Sequence, residues 1–127
     1  MNQFAKVVGL VLLCFCCSVS CQDKTKNTIV KIDKVTLQEA VKGNNVQLVD
    51  VRTPEEYAAG YIGEAVNYNI IDSETFLRQI EGLDKEEPVY LYCKMGGRSN
   101  RAAILLKEKG FTAIYDYSGG YNDWVSE

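Results

Sequence analysis

The residues of this chain best suited to chemistry lie between Tyr90 and Ser99, "YLYCKMGGRS". An apolar run ends on Cys93, crosses Gly96 and Gly97, and restarts at Arg98 and Ser99. The chain has no histidine among its 127 residues. That removes Cys-His dyads, Ser-His-Asp triads and histidine metal sites together. If Cys93 is a nucleophile, its own loop must activate it. The loop has the means. Gly96 and Gly97 permit backbone conformations closed to other residues, so successive amides can line an anion-binding nest. A helix expected from Ser99 turns its positive dipole end toward the loop, and Lys94 and Arg98 add fixed charge around Met95. Each feature favours thiolate over thiol. The competing reading is a buried core thiol, since free cysteine is among the most buried residue types; the two glycines and the arginine weigh against it.

Elimination narrows the thiols of the expected mature chain to Cys21 and Cys93. Residues Val7 to Ser20, "VVGLVLLCFCCSVS", carry no charge. The run is shorter than the ~20 residues of a membrane span and has the length of a signal-peptide apolar region. Ser18-Val19-Ser20 supplies a small–any–small cleavage pattern, which places the cut before Cys21. The expected organisation is a signal peptide over 1–20, a polar tether over 21–30, and one domain over 31–127. An uncleaved N-terminal anchor is the alternative. Cleavage removes Cys14, Cys16 and Cys17, and changes the net charge from −3 to −4 by removing Lys6. A mildly acidic domain argues against non-specific nucleic-acid binding.

The segments around Cys93 alternate between strand and helix character. Val46–Val51 reads as a buried strand and Val89–Tyr92 as a second, with a last strand over Ala113–Tyr117. Thr36-Leu-Gln-Glu39 matches a capping box and predicts a helix to about Lys42, stopped by Gly43. Thr53-Pro-Glu-Glu56 repeats the pattern, with proline where its missing N–H is harmless, and predicts a helix ending at Gly60. Asp72 or Ser73 caps a helix from about Glu74 to Ile80, and Ser99–Lys109 is a helix stopped by Gly110. Ala65–Tyr68 is a further short strand. The alternation implies an α/β domain with a mainly parallel central sheet flanked by helices. Sites in such sheets lie beyond the C-terminal strand ends. Cys93 occupies one such end and Asp50-Val51-Arg52 another, so the two are expected to converge on one crevice.

The motifs resemble those of rhodanese-like sulfurtransferases. "LYCKMGGRSNRAA" resembles the family's active-site loop of Cys, two residues, Gly, one residue, Arg, Ser. "VDVRTPEEYAAGYIGEAVN" is similar to the upstream signature, and "YDYSGGYNDW" to the closing Gly-Gly-x-x-x-Trp segment. The chain departs from the family's His-Ile-Pro-Gly at Tyr61-Ile62-Gly63-Glu64. The N-terminal segment resembles a bacterial lipoprotein signal, with Cys21 as the lipidated residue, although Ser18 stands where leucine is usual. The first resemblance implies a rhodanese-like fold and a Cys93 persulfide, formed from a small sulfane-sulfur donor and passed to a thiol or cyanide acceptor. It implies substrate contacts from Lys94, Met95, Gly96, Gly97, Arg98 and Ser99, bracing by Asp50 and Arg52, and no metal or organic cofactor. The second implies a membrane-anchored protein facing the periplasm or cell exterior.

Two alternatives remain open. A related group on the same fold places five residues between Cys and Arg and acts on phosphate or arsenate; here four residues intervene, which suits sulfur better than a tetrahedral oxyanion. The other alternative is a non-catalytic binding or redox module.

Overall fold

Apolar, β-branched and aromatic runs assemble into one five-stranded sheet in the computed structural model, which describes residues 27–127. The strands are β1 (Thr28–Ile32), β2 (Gln47–Asp50), β3 (Val66–Asn67), β4 (Val89–Tyr92) and β5 (Ala113–Tyr117). They lie in the order β1-β5-β4-β2-β3, and every pairing is parallel. The central strands are apolar on both faces, as a sheet covered by helices on both sides requires. On one face Val49, Val51, Leu91 and Ile114 pack with α3 (Ser73–Ile80) and α4 (Gly97–Glu108). On the other, Leu48, Tyr92 and Tyr117 pack against Leu37 of α1 (Lys34–Val41), Tyr57 of α2 (Pro54–Ala58), and Tyr121 and Trp124 of α5 (Gly120–Val125).

Local capping chemistry places most helix starts. Thr53 and Glu56 form the expected capping box with Pro54 in the first turn of α2. Asp72 caps α3 by accepting from the Thr75 amide. At α1 the cap differs from the sequence expectation. Asp33, not Thr36, is the cap, accepting from the Thr36 amide at 2.9 Å and from its hydroxyl at 2.7 Å. A carboxylate three residues upstream engages the Thr36 hydroxyl as a donor, so Thr36 lies inside the helix.

Two elements were absent from the sequence reading. Residues 28–30, placed there in the tether, begin β1, which runs beside β5 with Thr28 opposite Ala113 and Ile32 opposite Tyr117. The closing segment contains α5, whose start carries no side-chain cap to announce it. The expected signal segment, Cys21 and residues 22–26 of the tether lie outside the described residues.

Candidate active site at the end of β4

Cys93 follows β4 directly, and parallel pairing with β2 and β5 holds that strand in the middle of the sheet. The side chain turns toward the α4 face, is 1% exposed, and packs in the cluster containing Val51, Leu91 and Ala102. Around the sulfur the backbone curls into a cradle. The Gly96 amide donates to Sγ at 3.0 Å, and Ser99 Oγ lies 3.7 Å from it. Burial alone would push the thiol pKa up. Hydrogen bonding with Ser99, at its amide and its hydroxyl, and with the Gly96 and Met95 amides outweighs it, and the thiol is shifted down. These donors lie at the α4 N-terminus, whose first-turn amides have no partner inside the helix. The expectation that the loop activates the cysteine has this physical content.

The cradle depends on two glycines. Gly96 has φ +101°, and a Cβ there would lie 2.5 Å from the Ser118 carbonyl oxygen. Gly120 has φ +70°, and a Cβ there would meet the carbonyls of Lys94 and Cys93 at 2.5 to 2.7 Å. That close approach lets the first amides of α5 clamp the loop: Tyr121 N–H donates to the Cys93 carbonyl at 2.8 Å and Asn122 N–H to that of Lys94 at 3.1 Å.

The charged residues divide differently from expectation. The Arg98 guanidinium stays electrostatically coupled to Cys93, and its terminal nitrogens are held by Glu56. It forms a fork-to-fork pair with Glu56 at 2.6 and 3.0 Å, and that hydrogen bonding holds the Glu56 carboxyl down at about 2. Lys94 and Met95 are exposed, Met95 at 71%. Asp50 and Arg52 form a buried pair at 2.6 Å on the face opposite Cys93, while Val51 between them packs in the Cys93 cluster. Strand alternation sends Tyr92 to that face and Cys93 away from it. Arg52 still braces the loop indirectly. It donates to the Gly60 carbonyl at 2.6 Å and stacks 4.1 Å from the ring centroid of Tyr121, whose amide holds Cys93. Asp50 in turn accepts from the Tyr92 hydroxyl at 2.7 Å.

A family model described as a rhodanese-like domain matches residues 33–127. The chain belongs to that family. This rhodanese-like chain is 31% identical over 86 residues to thiosulfate sulfurtransferase GlpE of Pseudomonas paraeruginosa (strain DSM 24068 / PA7), a match covering 68% of this chain and 76% of that protein. It is 40% identical over 78 residues to the uncharacterized protein YqhL of Bacillus subtilis (strain 168), covering 61% of this chain and 60% of that one. Among solved structures it resembles the human single domain sulfurtransferase TSTD1, with a TM-score of 0.65 and 26% identity over 75% of this chain and 94% of that one. The rhodanese-like architecture expected from the motifs is therefore the fold observed.

Sequence reasoning missed three residues that touch this rhodanese-like site. Glu56 was read only as a capping residue, yet it also holds Arg98, 42 positions away. Tyr121 was read as part of a motif, and it carries both the clamp and the Arg52 stack. Asp116 was read as one residue of a strand. It is fully buried on the Cys93 face and accepts from the Ser99 hydroxyl at 2.6 Å. An acid inside a buried strand was the available signal.

Proposed function

We propose that the protein is a sulfurtransferase that carries a sulfane sulfur as a Cys93 persulfide. The observation that carries this reading is the Cys93 sulfur itself, held 3.0 Å from the Gly96 amide at the start of α4, with its pKa shifted down. The Cys93 thiolate attacks the outer sulfur of thiosulfate. A Cys–S bond to that sulfur forms, the bond from it to the sulfonate sulfur breaks, and sulfite leaves with the electron pair. The product is an anionic persulfide, whose outer sulfur is then attacked by an acceptor thiolate, regenerating the Cys93 thiolate. Amides already aimed at the sulfur stabilise the anion without reorganisation. With Cys93 only 1% exposed, the donor must present one narrow sulfur atom at the loop mouth. The likeness to proteins named as sulfurtransferases supports the same class.

The export reading is likewise a proposal and rests on residues 1–21: a signal peptide cut before Cys21, with a lipid anchor on that cysteine.

Intact mass of the protein after thiosulfate treatment tests the chemistry. The expected result is a gain of one sulfur atom on the wild type and none on Cys93→Ser. No gain with any sulfane donor would overturn the reading in favour of a binding module. In protein taken from its own membrane, the same spectrum reads the N-terminus. Diacylglyceryl on Cys21 supports the anchor, and an intact Met1 refutes it.

A further inference from the structure

We infer that Asp116 is a positioning residue for Cys93: through Ser99 it receives the proton that the thiol gives up and holds it while the sulfur is anionic. The inference rests on Cys93 being the nucleophile proposed above. In a chain without histidine that proton needs somewhere to go, and three side chains are joined by consecutive hydrogen-bond contacts. Cys93 Sγ lies 3.7 Å from Ser99 Oγ, which lies 2.6 Å from Asp116 Oδ1. All three residues are buried. A second observation marks Asp116: its other oxygen, Oδ2, is buried and has no hydrogen-bond partner among the described residues. A carboxylate would leave that oxygen's charge unanswered, whereas a carboxylic acid tolerates the site far better.

The transfer balances. The thiol proton passes to Ser99 Oγ as the Ser99 proton passes to Asp116 Oδ1. The pair keeps one proton and one negative charge, and the charge moves from carboxylate to sulfur. Afterwards Asp116 donates to Ser99, and Ser99 donates to the thiolate. The Ser99 hydroxyl has one competing acceptor, the Gly96 carbonyl at 3.2 Å. The groups facing Asp116 are Ser99 from α4, its register partner Leu91 from β4, and its register partner Lys31 from β1. Burial pushes the Asp116 carboxyl up, against the Ser99 hydrogen bond and the attraction of Lys31. That is the direction a proton-holding acid requires.

Two groups sharing one proton titrate as a pair, in two macroscopic steps. The test follows the ultraviolet thiolate absorbance of the full chain against pH, taken as the difference from Cys93→Ser. The expected wild-type curve rises in two steps with a plateau between them. In Asp116→Asn, whose amide can donate to Ser99 as the acid would, it collapses to one step that is complete below the wild type's upper step. A single unchanged step in both proteins overturns the inference. If the Asn variant does not fold, infrared spectra of wild type and Cys93→Ser at neutral pH decide. A protonated-carboxyl band present in wild type and lost in Cys93→Ser is the expected result. A band absent from wild type, or retained without the sulfur, overturns it. Neither measurement uses a sulfur donor. Failure of the persulfide mass shift alone would therefore reject the sulfur-transfer reading, and failure here alone would reject the relay.

Discussion

Glu56 does two jobs with one carboxylate. It closes the capping box of α2 through Thr53 and grips Arg98 at the start of α4. The pairing holds its pKa down at about 2, from an ordinary 4.5. A carboxyl depressed on folding stabilises the native state above the unfolded pKa, and that contribution fades as pH falls from about 4.5 toward 2. Both side chains are partly exposed, at 22% and 28%, so the contribution is about 1–2 kcal/mol after allowance for screening. Glu56→Gln isolates this charge effect, because glutamine also serves in a capping box. At pH 7 the variant is expected to unfold more easily by that amount, with the gap closing only as pH falls to about 2. Urea denaturation of both proteins at the two pH values measures it. An equal gap at both would show that shape, not charge, holds α2 to α4.

At the scale of elements, the site is a strand end, a loop and two helix starts locked together by close backbone contact. Adjacent glycines in that loop have different tasks. Gly96 adopts a left-handed conformation against the Ser118 carbonyl, whereas a Cβ on Gly97 would meet nothing within 4 Å. Gly96→Ala is expected to cost at least about 2 kcal/mol, since the αL penalty adds to the clash. Gly97→Ala, in the first turn of α4, should be neutral or stabilise by up to about 1 kcal/mol. Denaturant midpoints of the two variants check this, and equal midpoints would refute the assignment of roles. The capped helices and high-propensity strands were legible from local chemistry, as Thr53-Pro-Glu-Glu56 and Val89–Tyr92 illustrate. α5 was not legible. Its entry through Gly119 and Gly120 is stabilised by carbonyls of the β4 loop, which no local pattern announces.

Across the whole molecule, β1 completes the sheet. It pairs with β5 over five residues and packs Ile29 and Ile32 against the two cores. A chain starting at Asp33, where the family match begins, would lose that ladder and leave β5 as a bare edge beside the site. Loss of the buried Ile32 alone removes roughly 1.5–3 kcal/mol, and the half-buried Ile29 adds a smaller share, against a total margin of about 5–15 kcal/mol. The shortened chain is expected to show no cooperative thermal transition by circular dichroism. A melt matching the full chain would show that β1 is dispensable.

Neighbours along the chain set the strand that ends at Cys93, the two glycines of the loop and the helix that follows, and composition excludes any imidazole. The motifs read in order also determined the family. Tertiary structure decided what depends on faces and register. Strand alternation sent Asp50 and Arg52 to one side of the sheet and Cys93 to the other. The packing of α4 against β5 brought Ser99 to Asp116, 17 positions away, and the seating of α2 gave Arg98 to Glu56. A side chain's type is written locally. Its partner is chosen by the long-range packing that places one strand beside another.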